Sequence, residues 1–327
     1  AIIEYSYDVE DGNGGTVPQT ATITITGAND APTVSAAVTS TAGEADAAYS
    51  LNLLTNASDV DATDVLNVNN LTLVSGDASG VTVNGNSLDI DPSAYSALAS
   101  GESEIITYSY TVEDGEGGTI AHTATITITG DNAAPTVSSA VTSTASEDDA
   151  AYSLNLLDNA SDEDASDTLS VNNLTLVSGN AAGVTVNGNA LDIDPNAYNT
   201  LAVGENAIIE YSYDVEEGNG GTVPQTATIT ITGANDAPTV SAAVTSLANE
   251  ADAAYSLNLL TNASDVDATD VLNVNNLTLV SGDASGVTVN GNSLDIDPSA
   301  YSALASGESE IITYSYTVED GEGGTIA

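Results

Sequence analysis

The chain of 327 residues carries 48 acidic side chains and one histidine but no lysine or arginine, a formal charge of −48. Nucleic acid and anionic membrane surfaces are therefore disfavoured as partners, since both are gripped through Lys and Arg. The absence of cysteine excludes a disulfide framework and any thiolate metal site, leaving carboxylate, amide and backbone oxygens as ligands for a hard cation. With no Met, Trp or Phe, a core must be built from Val, Ile, Leu, Ala and 14 Tyr, an inventory suited to β-structure but poor in large hydrophobes.

The first residues, "AIIEYSYDVED", begin inside a strand-like alternation with no secretory leader before them, as expected of a window cut from a longer protein. The alternation in "TATITITG", Thr20 to Gly27, turns Ala21, Ile23 and Ile25 to one face and threonines to the other. "GANDAPTV", Gly27 to Val34, then punctuates: Gly ends the strand and Pro32 fixes the start of the next module. A strand is expected over 33–41, then a loop with Glu44 and Asp46, then a strand over 48–55. "SDVDATD", Ser58 to Asp64, follows with three aspartates. "VTVNGNSLDID", Val81 to Asp91, is a hairpin signal with Asn84-Gly85 in the turn. Pro92 to Glu102 is suited to a helical turn, and "EDGEGG" from Glu113 links two further strands. No apolar run reaches the roughly 18 residues of a membrane span, so direct membrane insertion of this segment is not expected.

All of this repeats. Tyr5, Tyr108, Tyr211 and Tyr314 stand at equivalent places 103 residues apart, and residues 1–103 differ from 207–309 only at Asp11/Glu217, Thr41/Leu247 and Gly43/Asn249. The expected divisions are a C-terminal hairpin of a preceding repeat over 1–32, complete repeats over 33–135 and 136–238, and a repeat lacking its last strand over 239–327. About seven short strands per repeat, with turns at regular spacing, predict an all-β chain of tandem immunoglobulin-like Greek-key sandwiches arranged end to end in a rod.

Acids recur in every copy at the places of Glu10, Asp11, Glu44, Asp46, Asp59, Asp61, Asp64, Asp89, Asp91 and Glu102. Those at Glu4, Asp8, Asp77 and Asp158 do not, which assigns them to solvated surface. If the chain zigzags between the ends of each sandwich, the Glu44–Asp46 loop lies at the bottom, and "SDVDATD" and "EDGEGG" lie at the top. Glu44, Asp46, Asp131, Asn132, Asp162, Asp164 and Asp167 are then expected to converge on one junction as an oxygen cage for calcium. The equivalent expectation covers Glu147, Asp149, Asn235, Asp236, Asp265, Asp267 and Asp270, with Glu250 and Asp252 as further copies. Glu113 and Asp114 are either metal ligands or parts of a tight turn.

"YTVEDGEGGT…TATITITG", "GANDAPTV" and "LDIDPSAYSALASGE", in this order, resemble the VCBS-type, cadherin-like repeat of large bacterial surface and RTX adhesins. The resemblance covers the whole chain. It implies a calcium-loaded β-sandwich, type I secretion to the cell exterior, and a role as stalk or extender. By motif match it carries calcium ligation to Asn29, Asp30, Glu44, Asp59, Asp61 and their copies. One departure stands out: "GDNAAP" has its acid at Asp131, two places before the position of Asp30, so the ligand set of that junction is expected to differ.

The leading expectation is a calcium-stabilised structural array of an extracellular adhesin or matrix protein. Its partners would be calcium ions, neighbouring repeats and other copies of the filament. The alternative is a repeated carbohydrate- or surface-binding module acting by avidity. An enzyme is not expected, because no nucleophile, base and orienter recur together, and His122 is Gln19 and Gln225 in its neighbours. Asp89 is expected to be structural, whereas Asp91 is either exposed or the cap of the turn after it. The tyrosines are expected to fill core and groove, and Asn56 and Asn70 open glycosylation sequons.

Overall fold

The computed structural model describes residues 1–327. The chain divides into two compact units, Ala1–Ala133 with Glu163–Asp167, and Ala134–Asp162 with Thr168–Ala327.

In the first unit, period-two alternation decides which side chains enter the core. Strand Ser103–Glu113 turns Ile106, Tyr108, Tyr110 and Val112 inward, and strand Thr119–Thr129 turns in Ala124, Ile126 and Ile128. They pair antiparallel with Ile106 opposite Ile126 and Tyr108 opposite Ala124, leaving threonines on the outer face. Asn67–Ser75 adds antiparallel on one side and Val38–Gly43 parallel on the other, completing a four-stranded sheet. The facing sheet is Tyr49–Asn52, Ser87–Ile90 and Val81–Asn84, which contributes Leu88 and Ile90, with Leu53 just beyond. Tyr110 joins the layers: its hydroxyl donates to Leu53 O at 2.7 Å, and burial pushes its pKa up to about 12. Tyr108 and Tyr110 are thus in the core, Tyr110 with its hydroxyl satisfied.

Three local expectations are refined. The strand expected over 33–41 is split. Thr33–Val34 pairs with Ala57–Ser58, the chain crosses between layers over 35–37, and Val38–Gly43 joins the larger sheet. Asn56 makes the crossing workable: at φ 68° its carbonyl accepts from Ser35 N–H at 3.0 Å, and its amide reaches Ala36 O at 3.3 Å and Ala37 O at 3.4 Å. Aspartate or asparagine tolerates this left-handed backbone better than branched residues do. The hairpin turn is Gly85-Asn86, not Asn84-Gly85, because Asn84 pairs with Ser87 and Gly85 (φ 58°) takes the first central place. The helical turn is a single 3₁₀ turn, Pro92–Tyr95, capped by Asp91, whose carboxylate accepts from Ser93 N–H at 3.2 Å.

The hairpin Ile2–Glu10 and Thr16–Thr24 is spelled like its buried counterparts and pairs in the same register, yet every residue in it is exposed. Ile3 is 39% exposed where its copy Ile209 is 0%. Two strands alone have no second layer to bury against.

The second unit repeats the plan. Val141–Ser146, Thr222–Thr232, Asn206–Glu216 and Ser170–Ser178 form a four-stranded sheet over Tyr152–Asn155, Ala190–Ile193 and Val184–Asn187. Tyr213 donates to Leu156 O at 2.7 Å, in the place of Tyr110. Further along, Tyr255–Asn258, Ser293–Ile296 and Val287–Asn290 form a sheet, and Asn273–Ser281 pairs with Thr313–Glu319, itself paired with Thr325–Ile326. Residues 244–249, the counterpart of Val38–Gly43, form no strand, and Leu247 is 99% exposed.

Candidate metal centres

Two kinds of carboxylate group emerge at loops that the sheets position. The first lies within a single repeat. In the first unit it joins Asp59 and Asp64, on the loop after Ala57–Ser58, to Asp114, just past the end of strand Ser103–Glu113; one oxygen from each lies within 4.8 Å of the others. Asp61 N–H donates to Asp59 Oδ1 at 2.9 Å and Asp64 N–H to Asp61 O at 3.1 Å, which curls the loop inward. Asp114 is held from behind. Its Oδ1 accepts from the backbone of Glu116, Gly117 and Gly118 at 2.8, 2.9 and 3.0 Å, and its Oδ2 from the Asn29 amide at 3.0 Å. Gly117, at φ 112°, is a residue that this nest needs.

The electrostatics of the three are opposed. The Asn29 amide and backbone donors hold the Asp114 carboxyl below the ordinary range. Burial, followed by Asp61, Asp59 and Asp114, pushes Asp64 up. Asp59 Oδ2 and Asp64 Oδ2 are buried and accept no hydrogen bond. The second unit contains the same construction from Asp265, Asp270 and Asp320, with Asn235 donating to Asp320 Oδ2 at 3.0 Å and with Asp265 Oδ2 and Asp270 Oδ2 again without donors.

The second kind lies on the interrepeat linker. In the second unit Glu147, Asp236 and Asp267 each bring an oxygen within 4.8 Å of the others. Glu147 is 0% exposed, accepting from Ala234 N–H at 2.9 Å and Leu201 N–H at 3.3 Å. Asp236 N–H donates to Asp267 Oδ2 at 2.9 Å, while Asp267, 3% exposed, has its Oδ1 buried without a donor. Burial raises the Glu147 carboxyl, Ala234 and Leu201 N–H oppose the rise, and Asp267 and Asp236 add to it. Asp236 is raised by burial and then by Asp148, Asp267 and Asp265. In the first unit Glu44 accepts from Asp131 N–H at 3.2 Å, its Oε2 is buried without a donor, and its carboxyl is raised by burial. Asp30 N–H donates to Asp61 Oδ2 at 2.8 Å and Ala133 N–H to Asp164 Oδ2 at 2.9 Å.

The other residues singled out in the sequence make further contacts of their own. Asp46, Asp149 and Asp252 each close their own turn, accepting from Gly43, Ser146 and Asn249 N–H at 2.8, 2.8 and 2.7 Å. Glu250 is exposed. Glu113 accepts from the Asn69 amide at 3.0 Å, and the Asn132 amide donates to Ala133 O at 3.3 Å. Asp162 is half-buried in the second unit; Asp164 and Asp167 belong to the first, where Asp167 N–H donates to Asp164 O at 3.1 Å. Asp320 is not among the ligands expected from the sequence, although it stands two 103-residue repeats after Asp114 and, like it, precedes Gly-Glu-Gly-Gly. His122 is buried 5.2 Å from the Tyr110 ring, and Gln225 at its place in the next repeat donates to Ser139 O at 2.8 Å.

These groups are all-oxygen, anionic, and partly without donors, in a chain with no lysine or arginine to neutralise them. That donor set fits a hard divalent cation of the calcium class and does not suit zinc or copper.

The family model for a cadherin-like domain matches residues 28–129, 131–232 and 234–327. No curated protein matches the sequence. Among solved structures, the human desmocollin-1 ectodomain is similar over 99% of this chain and 63% of its own, at 12% identity and a TM-score of 0.33. The protocadherin GammaB4 extracellular domain gives 99% and 55% at 13% identity and 0.41. Mouse cadherin-23 EC22-24 gives 91% and 97% at 15% identity and 0.41. The chain spans less than two thirds of the first two. No helix is long and apolar enough to cross a membrane, which says nothing of a β-barrel.

Proposed function

The chain belongs to the cadherin-like domain family, and on that premise we propose that it is a calcium-stabilised structural array, the stalk or filament segment of an extracellular adhesin or matrix protein. The observation that carries this reading is the set of buried carboxylate oxygens without donors at Asp59, Asp64, Asp265 and Asp270. A buried anion with neither hydrogen bond nor counter-charge is strongly unfavourable, and with no lysine or arginine in the chain a bound cation is what can offset it while the carboxylates stay ionised.

Asp59, Asp64 and Asp114 would hold one ion within the first repeat, Asp265, Asp270 and Asp320 another, and Glu147, Asp236 and Asp267 one at a linker. The ion supplies positive charge. The chain supplies the rest: the nest behind Asp114 fixes that carboxylate before any ion arrives, and the backbone bond from Asp236 to Asp267 ties the linker to the repeat after it. With linkers so tied, repeats would keep a set spacing from the cell surface, the use of an extender. The likeness of its motifs to VCBS-type repeats supports a secreted bacterial setting. Because the unliganded sites repel, the chain would remain loosely folded where free calcium is scarce and consolidate outside the cell.

Calorimetric melting of the chain with calcium, with chelator, and with chelator at matched ionic strength tests this reading. Calcium at 100 times its dissociation constant should add about 2.7 kcal/mol per site. Equal melting temperatures with calcium and chelator at matched ionic strength would mean that the groups are merely acidic turns.

A further inference from the structure

Two linkers of this chain present the same backbone frame with different side chains. Asp131, Asn132 and Ala133 stand where Ala234, Asn235 and Asp236 stand one repeat later. The frame is preserved: Asp131 N–H donates to Glu44 Oε1 at 3.2 Å as Ala234 N–H does to Glu147 Oε1 at 2.9 Å. Ala133 N–H donates to Asp164 Oδ2 at 2.9 Å as Asp236 N–H does to Asp267 Oδ2 at 2.9 Å. What differs is the ligand carried on that frame. Asp236 is half-buried, brings an oxygen into the group with Glu147 and Asp267, and is steadied by the Asn199 amide at 2.8 Å. Ala133 offers a methyl group there.

Asp131 does not replace the missing carboxylate. It is exposed, and its Oδ2 lies beside Gly43, where an added Cβ would stand 3.5 Å from it and 3.7 Å from Asp46 Oδ2. Acids are not scarce at this linker, since Asp131 and Glu163 both act on Glu44. The contrast therefore lies in one oriented, half-buried ligand and not in net charge. The Asp236 group also has what a bare acidic cluster lacks, a nearly fully buried carboxylate oxygen, Asp267 Oδ1, with no donor.

Resting on the calcium reading above, we propose that the linkers alternate between two grades of calcium site. The Gly-Ala-Asn-Asp spelling makes the tighter grade and Gly-Asp-Asn-Ala the weaker, so the array loads in two steps as calcium rises. In this chain the linker at 233–236 is of the tight grade and that at 130–133 of the weak grade, while 27–30 shares the Gly-Ala-Asn-Asp spelling. Oxygen-ligand sites are tuned over orders of magnitude by ligand charge count and rigidity, so the grades should differ by about tenfold or more.

The test is a calcium titration of the 327-residue chain by calorimetry and equilibrium dialysis, beside Ala133→Asp and Asp236→Ala, with circular dichroism to establish that each is folded. Ala133→Asp should move binding from the weak class into the tight one, and Asp236→Ala should do the reverse. If Asp236→Ala does not fold, Ala133→Asp alone decides. A parent that binds calcium, with neither folded variant redistributing the classes, overturns the alternation and leaves the calcium reading standing. A parent that takes up no calcium overturns both.

Discussion

The side-chain amide of Asn235 donates to Asp320 Oδ2 at 3.0 Å across 85 residues of sequence, pinning a linker to the loop between strands Thr313–Glu319 and Thr325–Ile326 of the repeat that follows it. The Asn29 amide and Asp114 make the same bond at 3.0 Å. Each asparagine thus orders a carboxylate that the backbone nest already holds on its other oxygen. Asn235→Ala removes a hydrogen bond to a charged acceptor and should cost about 1.5–3 kcal/mol in chelator. Chemical denaturation of parent and variant checks this, and an unchanged midpoint would show that the linker is not anchored there.

Tyrosine gives a cleaner comparison, because its bond recurs in unequal surroundings. Tyr213 is 3% exposed and donates to Leu156 O at 2.7 Å, and burial, with Asp158 adding to it, pushes its pKa up to about 12. Tyr316 donates to Leu259 O at 2.9 Å from a half-buried position. Tyr213→Phe leaves a buried carbonyl without its donor and should cost about 1–3 kcal/mol, whereas water can replace the bond in Tyr316→Phe, which should cost about 1 kcal/mol or less. Equal losses in thermal melts would contradict the burial argument.

The raised carboxyls set an unusual pH dependence. Glu44, Asp64, Glu147, Asp236 and Asp270 are all raised by burial and by neighbouring acids, so each holds a proton in the folded chain at a pH where the unfolded chain has released it. Stability without calcium should therefore increase as pH falls from 7 toward the ordinary carboxylate range of about 4. Below that range the lowered groups, Asp11, Asp89, Asp114, Asp295 and Asp320, become protonated and the gain reverses. Melting temperature against pH in chelator should peak at about pH 4–5. Saturating calcium should invert the trend above the peak, since protons then compete with the ion.

The alternation of Ile106, Tyr108, Tyr110 and Val112 was legible because the strand period is two and the residues are large or aromatic. The 103-residue spacing made equivalence readable even at Asp320, which a copy-by-copy reading would have included. Asp46 was not separable from Glu44, two residues earlier: recurrence marks both, but only coordinates reveal that Asp46 bonds Gly43 N–H in its own turn while Glu44 faces the linker. The split of the strand at 35–37 was likewise hidden. It depends on the left-handed Asn56, twenty residues away, whose amide bonds the crossing segment. The exposed hairpin Ile2–Glu10 shows the limit from the other side, because the same spelling is buried or bare according to what covers it.

Asp267 offers the sharpest separation of a cation site from an acidic turn. Its Oδ2 accepts from Asp236 N–H at 2.9 Å, its Oδ1 is buried without a donor, and one of its oxygens belongs to the group with Glu147 and Asp236. Asp267→Asn keeps the shape and the Oδ2 acceptor, deletes one charge, and places an amide donor where the unsatisfied oxygen stood. Without calcium the change relieves repulsion and supplies a hydrogen bond to a neighbouring carboxylate, so the variant should be more stable than the parent by about 1–3 kcal/mol. With calcium the same change removes an anionic ligand, so the variant should be less stable by a similar amount. The substitution therefore reverses sign with calcium. A structural aspartate in an acidic turn would give one sign in both conditions, and paired denaturation curves in calcium and in chelator distinguish the two.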